Sequence, residues 1–424
     1  MESYLISGGR KLQGEVDVAG SKNTALALLS AVVLAEGTTT LHNVPDVSDT
    51  RTKAKILQSF GAKVTWNGNS VTFDCSNLVD GEAEEEMVRS IRTSFYLLGP
   101  LAARTGHVTL PAPGGCKIGA RPVDFHMKGL AALGAEIDLS NGIYTIAAPN
   151  GLTGTTIYLD FPSAGATQHL MATATLAKGT TVIQNAAMEP EVQTLASFLN
   201  RMGAKIEGAG TSMVTIQGVE SLKPCEFNVP SDRLQAGTYM LAAAITGGDV
   251  TVRQIMPEHQ TAVVNKLREA GADVDEGPDW IRVSADNGLR GIRIKTMPYP
   301  GFPTDMQQPM SALLTLAEGM SVVEETIYES RIGHVQELNR MGANILQESR
   351  SSIINGVSKL RGTSVVASDL RAGAALVLAG LAAEGETIVR NIHFIDRGYE
   401  KLEQTLMGLG GQIVRQTQES RVQY

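Results

Sequence analysis

Between Met87 and Lys128 the chain carries Arg89, Arg92, Arg104, Lys117, Arg121 and Lys128 against a single acid, Asp124. At the centre of this basic stretch lies Pro113-Gly114-Gly115-Cys116-Lys117-Ile118-Gly119-Ala120-Arg121-Pro122-Val123-Asp124, whose glycines and prolines put Cys116 on a loop. A lone cysteine is ordinarily a small buried apolar residue. Lys117 and Arg121 change that reading, because neighbouring cations draw a thiol pKa from about 8.5 toward neutrality. A thiol so placed can give and take protons. Cys75 and Cys225 have no such neighbours and read as structural. Lys22 and Asn23 open a helical pattern in Gly20-Ser21-Lys22-Asn23-Thr24. A lysine there opposes the helix dipole, which a bound phosphate would reverse. Asp305, in Phe302-Pro303-Thr304-Asp305-Met306-Gln307, can cap a helix or act as a base. Arg331, Arg371 and Arg397 also stand near helix starts, where Asp369 and Asp396 are available to pair with the last two.

The elements that must position these residues recur along the chain. A helix-like segment runs into Gly-Ala or Gly-Gly, one further residue and a β-branched residue at Gly61, Gly134, Gly203, Gly271, Gly342 and Gly410. The spacings are 73, 69, 68, 71 and 68 residues, so six units of about seventy residues fill the chain. A second signature, clearest at Leu34-Ala35-Glu36-Gly37, Leu176-Ala177-Lys178-Gly179 and Leu316-Ala317-Glu318-Gly319, predicts a left-handed glycine cap on each unit's first helix. Each unit reads strand, helix, strand, helix, strand, strand. First helices begin near Ser21, Ile91-Arg92, Ser163, Asp232, Thr304-Asp305 and Asp369, mostly with N-capping side chains. Helix N-termini present unpaired N–H groups and the positive dipole end, so several together with Lys or Arg suit an anionic ligand. Pro224 and Pro230 mark a midpoint after three units, and Tyr4-Leu5-Ile6 is a strand pattern that fits the second half.

The chain has 424 residues, enough for two domains. Its 36 Lys and Arg against 44 Asp and Glu argue against nucleic acid as a partner. The longest apolar stretch, Ala372 to Ala383, is shorter than the roughly 20 residues of a membrane span. Met1-Glu2-Ser3-Tyr4 lacks the pattern of a signal peptide, so a cytoplasmic location without membrane contact is expected. There is no GxGxxG after a strand, no GxxxxGK[ST], no HExxH and no CxxC, and no metal or other cofactor is expected.

At these residues the sequence resembles the UDP-N-acetylglucosamine 1-carboxyvinyltransferase family. The markers are Gly20-Ser21-Lys22-Asn23, Gly114-Gly115-Cys116 through Arg121-Pro122-Val123-Asp124, and Gly165-Ala166-Thr167. They continue in Phe302-Pro303-Thr304-Asp305-Met306-Gln307, Asp369-Leu370-Arg371 and Ile395-Asp396-Arg397-Gly398-Tyr399. The resemblance implies a two-domain inside-out α/β barrel: an N-terminal three-repeat domain over 22–230 carrying the Cys116 loop, and a C-terminal domain of 1–21 plus 231–424, with the active site in the cleft between them. It implies transfer of the enolpyruvyl group of phosphoenolpyruvate to the 3-hydroxyl of UDP-N-acetylglucosamine, with release of phosphate, in peptidoglycan synthesis. Cys116 would be the proton donor, would add covalently to phosphoenolpyruvate and would be alkylated by fosfomycin. Lys22, Asn23, Arg121, Arg331, Arg371 and Arg397 would hold phosphoenolpyruvate. Asp305 would be the base, with Asp369 a second candidate. Arg92, Arg121, Pro122, Val123, Asp124, Phe125, Ser163, Ala164, Gly165, Asp305 and Ile327 would meet the UDP-sugar. Phe161 stands where some members carry lysine, and Gln235 where glutamate is common. The alternatives are 5-enolpyruvylshikimate 3-phosphate synthase and a non-catalytic paralogue that binds the UDP-sugar.

Overall fold

A computed structural model of the chain describes residues 2–114 and 123–417. Cys116, Lys117, Arg121 and Pro122 lie outside the described residues. The chain divides into two compact units, one of residues 20–114 and 123–230, the other of residues 2–19 and 231–417.

The first unit is built around helices α1 (Lys22–Ala31), α2 (Leu98–Thr105) and α3 (Ala164–Ala174), the second around α4 (Arg233–Ile245), α5 (Gln307–Leu314) and α6 (Leu370–Ala382). These inner helices are rich in Ala, Gly, Ser and Thr, and α6 is buried from Arg371 through Leu381. Small side chains let them approach closely. A Cβ added at Gly99 of α2 would lie 1.9 Å from Thr173 Oγ1 of α3. The second helix of each repeat is instead amphipathic, with one buried stripe.

Each inner helix is covered by a sheet. In the fifth repeat Arg293–Lys295 pairs in parallel with Met320–Glu324, which pairs antiparallel with Ser351–Asn355, and that with Asn344–Glu348. Strands such as Met320–Glu324 alternate buried and exposed residues, so one face meets the helices and the other solvent. Helices enclosed by sheets give the inside-out α/β arrangement.

The six-element order holds within the local sequence of the third and fifth repeats. Elsewhere strands are exchanged along the chain. Glu226–Asn228 supplies the strand parallel to Thr38–His42, and Gln13–Asp17 the strand parallel to Asp249–Arg253. Glu2–Ser7 lies between Glu386–Arg390 and Gln412–Thr417 and completes the sixth sheet. The second repeat has a three-stranded sheet among the described residues, because its acidic opening forms the helix Glu85–Ser90 where the pattern called for a strand.

The repeated Gly-Ala signature is a Schellman cap. All six of its glycines have φ between 91° and 105°. In each, the glycine N–H bonds three residues back and the next N–H bonds five back, as in Gly342 to Asn339 and Ala343 to Leu338. The residue five back is Leu57, Leu130, Leu199, Leu267, Leu338 or Leu406, always a buried leucine. The other glycine signature behaves differently. Gly106 does cap α2, but α6 ends in extended Ala383, and Gly385, at φ 87°, turns the chain into the next strand. Gly37 likewise follows extended Ala35 rather than ending a helix.

Candidate active site

The first unit gathers several of the expected residues at helix starts. Ser21 caps α1 through its hydroxyl, which accepts from Thr24 N at 3.2 Å. Lys22 and Asn23 are half-buried in the first turn. Lys22 Nζ lies 3.3 Å from Asp49 Oδ2, with only 12% and 6% of the two side chains exposed. Asp49 sits in the first turn of Ser48–Ser59, where an acid suits the dipole, and it offsets the cost of a cation at the start of α1. Ser163 caps α3, accepting from Ala166 N at 3.3 Å, so Ala164 and Gly165 present backbone N–H groups in its first turn. Arg92 opens the 3₁₀ segment Arg92–Leu97 rather than a capped α-helix. Val123, Asp124 and Phe125 are half-buried at the start of Asp124–Ala132. Asp124 Oδ1 is buried without a hydrogen-bond partner among the described residues. Phe161 is 41% exposed, two residues before the Ser163 cap.

A buried polar cluster supports these turns. Lys53 is fully buried, its Nζ donates to the Thr93 carbonyl, and burial holds its pKa well below the usual lysine value. Gly99 N donates to His169 Nε2 at 2.9 Å, so the His169 proton sits on Nδ1 and points at His126 Nδ1, 2.9 Å away. That leaves His126 as acceptor at Nδ1 and protonated at Nε2. Burial, then His126 and Lys53, push the His169 pKa far down, so the imidazole is neutral. Tyr96 stacks on both imidazoles. A Cβ at residue 165 would fall 2.2 Å from Tyr96 Oη, which fixes Gly165 by packing.

In the second unit two of the anion-binding candidates, Arg331 and Arg371, converge on Asp305. It lies in the 3₁₀ turn Thr304–Met306 that leads into α5. Arg331 Nη2 is 2.8 Å from Asp305 Oδ1, and Arg371 places Nη2 at 3.2 Å and Nε at 3.3 Å from Oδ2. The arginine side chains are only 5% and 3% exposed, against 25% for Asp305. Arg371 Nη1 donates to Tyr399 Oη at 2.9 Å, and Thr238 Oγ1, 2.7 Å from that hydroxyl, itself donates to Leu234 O. The chain therefore runs one way, from guanidinium to phenol to threonine to carbonyl. Burial by itself would lower the Arg371 pKa, but Tyr399, Asp305 and Asp232 more than offset it and the pKa is raised.

The pairing of acids with arginines differs from the local one that adjacency in sequence allows. Asp369 is the N-cap of α6: Oδ1 accepts from Arg371 N at 2.9 Å and Ala372 N at 3.0 Å, and Oδ2 from Ser368 Oγ at 3.0 Å and Gln308 Nε2 at 3.3 Å. Asp396 is bound by Arg415, at 2.6 and 3.0 Å. Arg397 closes the 3₁₀ segment Ile392–Arg397 and is half-buried. Ile327 is half-buried, with its N–H 2.7 Å from Glu325 Oε1. Gln235 is buried in α4 and donates to Gly398 O at 3.0 Å. His334, fully buried beside these groups, has no hydrogen-bond partner on either nitrogen among the described residues.

Asp49, Lys53, His126, His169, Glu325 and His334 were not visible as site residues from sequence. The one local signal was acid at a helix start, which Asp49 shares with many surface residues. Cys75 is buried and its thiol pKa is pushed up to about 12 by burial, while Cys225 is half-buried and raised for the same reason. Among the described residues no helix is long and apolar enough to cross a membrane.

Compact repeats of helices enclosed by sheets, with arginines and acids at the inner-helix starts, define a class. Residues 6–406 match the family described as EPSP synthase (3-phosphoshikimate 1-carboxyvinyltransferase), and the chain belongs to that family of carboxyvinyl (enolpyruvyl) transferases. Within it, the chain is 50% identical over 417 residues to UDP-N-acetylglucosamine 1-carboxyvinyltransferase 2 of Carboxydothermus hydrogenoformans, covering 98% of this chain and 99% of the relative. It is 49% identical over 415 residues to UDP-N-acetylglucosamine 1-carboxyvinyltransferase of Trichlorobacter lovleyi, covering 98% and 99%. Among solved structures, the enolpyruvyl transferase NikO from Streptomyces tendae superposes with a TM-score of 0.89 at 27% identity, over 99% of each chain. EPSP synthase from Acinetobacter baumannii shares the fold, with a TM-score of 0.79 at 21% identity over 98% of this chain and 100% of that one.

Proposed function

We propose that this chain transfers the enolpyruvyl group of phosphoenolpyruvate to the 3-hydroxyl of UDP-N-acetylglucosamine and releases phosphate, a reaction of peptidoglycan synthesis. The observation that carries the reading is about 50% identity, over 98% of the chain, to a protein named for that reaction. The acceptor distinguishes it from EPSP synthase, whose solved structure is similar in fold at 21% identity.

The chemistry is addition then elimination. A proton reaches the methylene carbon of phosphoenolpyruvate, turning it into a methyl group. The sugar 3-hydroxyl oxygen bonds to the adjacent carbon as its own proton leaves, giving a tetrahedral phospho-ketal. Loss of a methyl proton and cleavage of the carbon–oxygen bond to phosphate restore the double bond, now on the sugar. Cys116 is the proposed proton donor to the methylene carbon. Asp305 is the proposed acceptor of the hydroxyl proton, and its two arginine partners support that role by fixing the carboxylate in place. Asp369 is committed as the N-cap of α6, accepting two backbone N–H groups of its own helix, a structural duty Asp305 does not carry, which favours Asp305 as the base. Lys22, Asn23, Arg121, Arg331, Arg371 and Arg397 are proposed to hold the phosphate and carboxylate, anions that suit charge-assisted bonds. Arg92, Arg121 to Phe125, Ser163 to Gly165, Asp305 and Ile327 are proposed to contact the UDP-sugar.

The test is phosphate release from phosphoenolpyruvate, with and without UDP-N-acetylglucosamine, beside Cys116→Ala. Release that needs the sugar nucleotide and collapses in the variant is expected. Release driven by shikimate 3-phosphate would overturn the choice of acceptor. UDP-sugar binding without release would make the chain a binding protein.

A further inference from the structure

Glu325 follows the strand Met320–Glu324 and is 2% exposed, deep enough that a carboxylate must be fully partnered. Its Oε1 accepts from Thr296 Oγ1 at 2.8 Å, Ile327 N at 2.7 Å and Tyr328 N at 3.1 Å. Its Oε2 accepts from Thr304 Oγ1 at 2.8 Å. Thr304 Oγ1 also receives Arg331 Nη1 at 2.8 Å, while the other end of that guanidinium meets Asp305. The directions are forced by chemistry. A carboxylate only accepts and a guanidinium only donates, so the single Thr304 proton is committed to Glu325 and an oxygen lone pair to Arg331. One buried carboxylate thus ties the turn carrying Ile327 and Tyr328 to the turn carrying Asp305, and orients Arg331 between them.

We infer that Glu325 is the positioning residue that sets the geometry of the Asp305–Arg331 pair, acting through Thr304, and of Ile327, which it bonds directly. This deepens the proposed reaction and rests on it. Among the described residues argued to meet phosphoenolpyruvate, Glu325 reaches Arg331 through Thr304 and bonds none directly, so its effect is one of alignment. Misplacement of reacting groups by about 1 Å costs about 100-fold in rate.

Thr304→Ala cuts the link to Arg331 while leaving the bonds from Glu325 to Ile327 and Tyr328 in place, and Thr304→Ser restores the hydroxyl. The expected result is a fall in kcat of roughly 10- to 100-fold in Thr304→Ala, a smaller change in the KM for UDP-N-acetylglucosamine than in kcat, and recovery in Thr304→Ser. Glu325→Gln should lower kcat and also raise that KM, because it disturbs Ile327 too. In an Asp305→Asn background Thr304→Ala should add no further loss, since both act on one unit. Full kcat in Thr304→Ala, or equal losses in the Ala and Ser variants, would overturn the inference. A wild-type chain without phosphate release would sink the reaction instead. The positioning role is then decided by ¹⁵N-arginine NMR, with Arg331→Lys assigning the resonance. A slowly exchanging Arg331 guanidinium lost in Thr304→Ala and kept in Thr304→Ser supports it, and an unchanged signal in both refutes it.

Discussion

Replacing His334 with leucine should change how the stability of the second unit depends on pH. His334 is fully buried on Gly333–Arg340, and its pKa is lowered to about 4. Burial is the main cause, Asp369 opposes it and Arg331 adds to it. In the unfolded chain an imidazole titrates near 6.5. The folded value is the lower one, so the unfolded state binds the proton first as pH falls. Stability is therefore complete above about pH 6.5 and is lost progressively down to about pH 4. Between pH 7 and pH 5 this single group removes about 2 kcal/mol, at about 1.4 kcal/mol for each pKa unit. The two tryptophans make the assay local, because Trp280 belongs to the unit of His334 and Trp66 to the other. In a Trp66→Phe background, urea unfolding followed by Trp280 fluorescence reports the relevant unit. His334→Leu should lose about 2 kcal/mol less than its parent between pH 7 and pH 5. Parallel losses in the two proteins would refute the reasoning. They would mean that the imidazole finds a proton acceptor or water in its pocket.

Asp305→Asn should lower kcat for phosphate release by about 100- to 10,000-fold, the range for loss of a general base. Because it also leaves two buried guanidinium groups without their carboxylate, it should cost about 3 kcal/mol in urea unfolding, and a retained kcat would exclude Asp305 as the base. Fosfomycin should add its mass to the peptide containing Cys116 and to neither Cys75 nor Cys225, as read by peptide mass spectrometry, and an enzyme active but unmodified would contradict the assigned thiol. Gly342→Ala should cost about 1 kcal/mol in the urea midpoint through backbone strain alone, since φ is 93° and a Cβ there meets nothing within 4 Å. An unchanged midpoint would show that the cap does not need its left-handed residue.

Much of this architecture is local and was legible in the residues. The Gly-Ala signature marks six helix ends because a residue at positive φ excludes most side chains and the following N–H must reach a carbonyl five residues back. Ser21, Ser163, Asp232 and Asp369 mark helix starts because each side chain bonds N–H groups two or three residues ahead. Those same starts carry Lys22, Gly165 and Arg371, so candidate anion sites could be named before any fold was known. Two starts escaped this logic. Arg92 and Thr304 open 3₁₀ turns without a side-chain cap, and nothing in their immediate sequence separates the two kinds of entry.

Partner choice was decided only by the tertiary structure. Asp369 stands two residues before Arg371, yet Arg371 turns its guanidinium to Asp305, sixty-six residues away, and Asp396 is taken by Arg415 rather than its neighbour Arg397. Short-range geometry lets Asp369 spend its oxygens on the N–H groups of its own helix, and packing of α5 against α6 then supplies the second acid. Exchanged strands follow the same rule: Gln13–Asp17 carries no mark of the Asp249–Arg253 edge it joins, because any alternating strand can fill a parallel register. Glu325 is the extreme case. In sequence it is one of 44 acids, and only the burial that gathers Thr296, Thr304, Ile327 and Tyr328 around it makes its charge consequential. Caps and periodicities are written in neighbouring residues, whereas the pairing of buried charges depends on which elements desolvate them together.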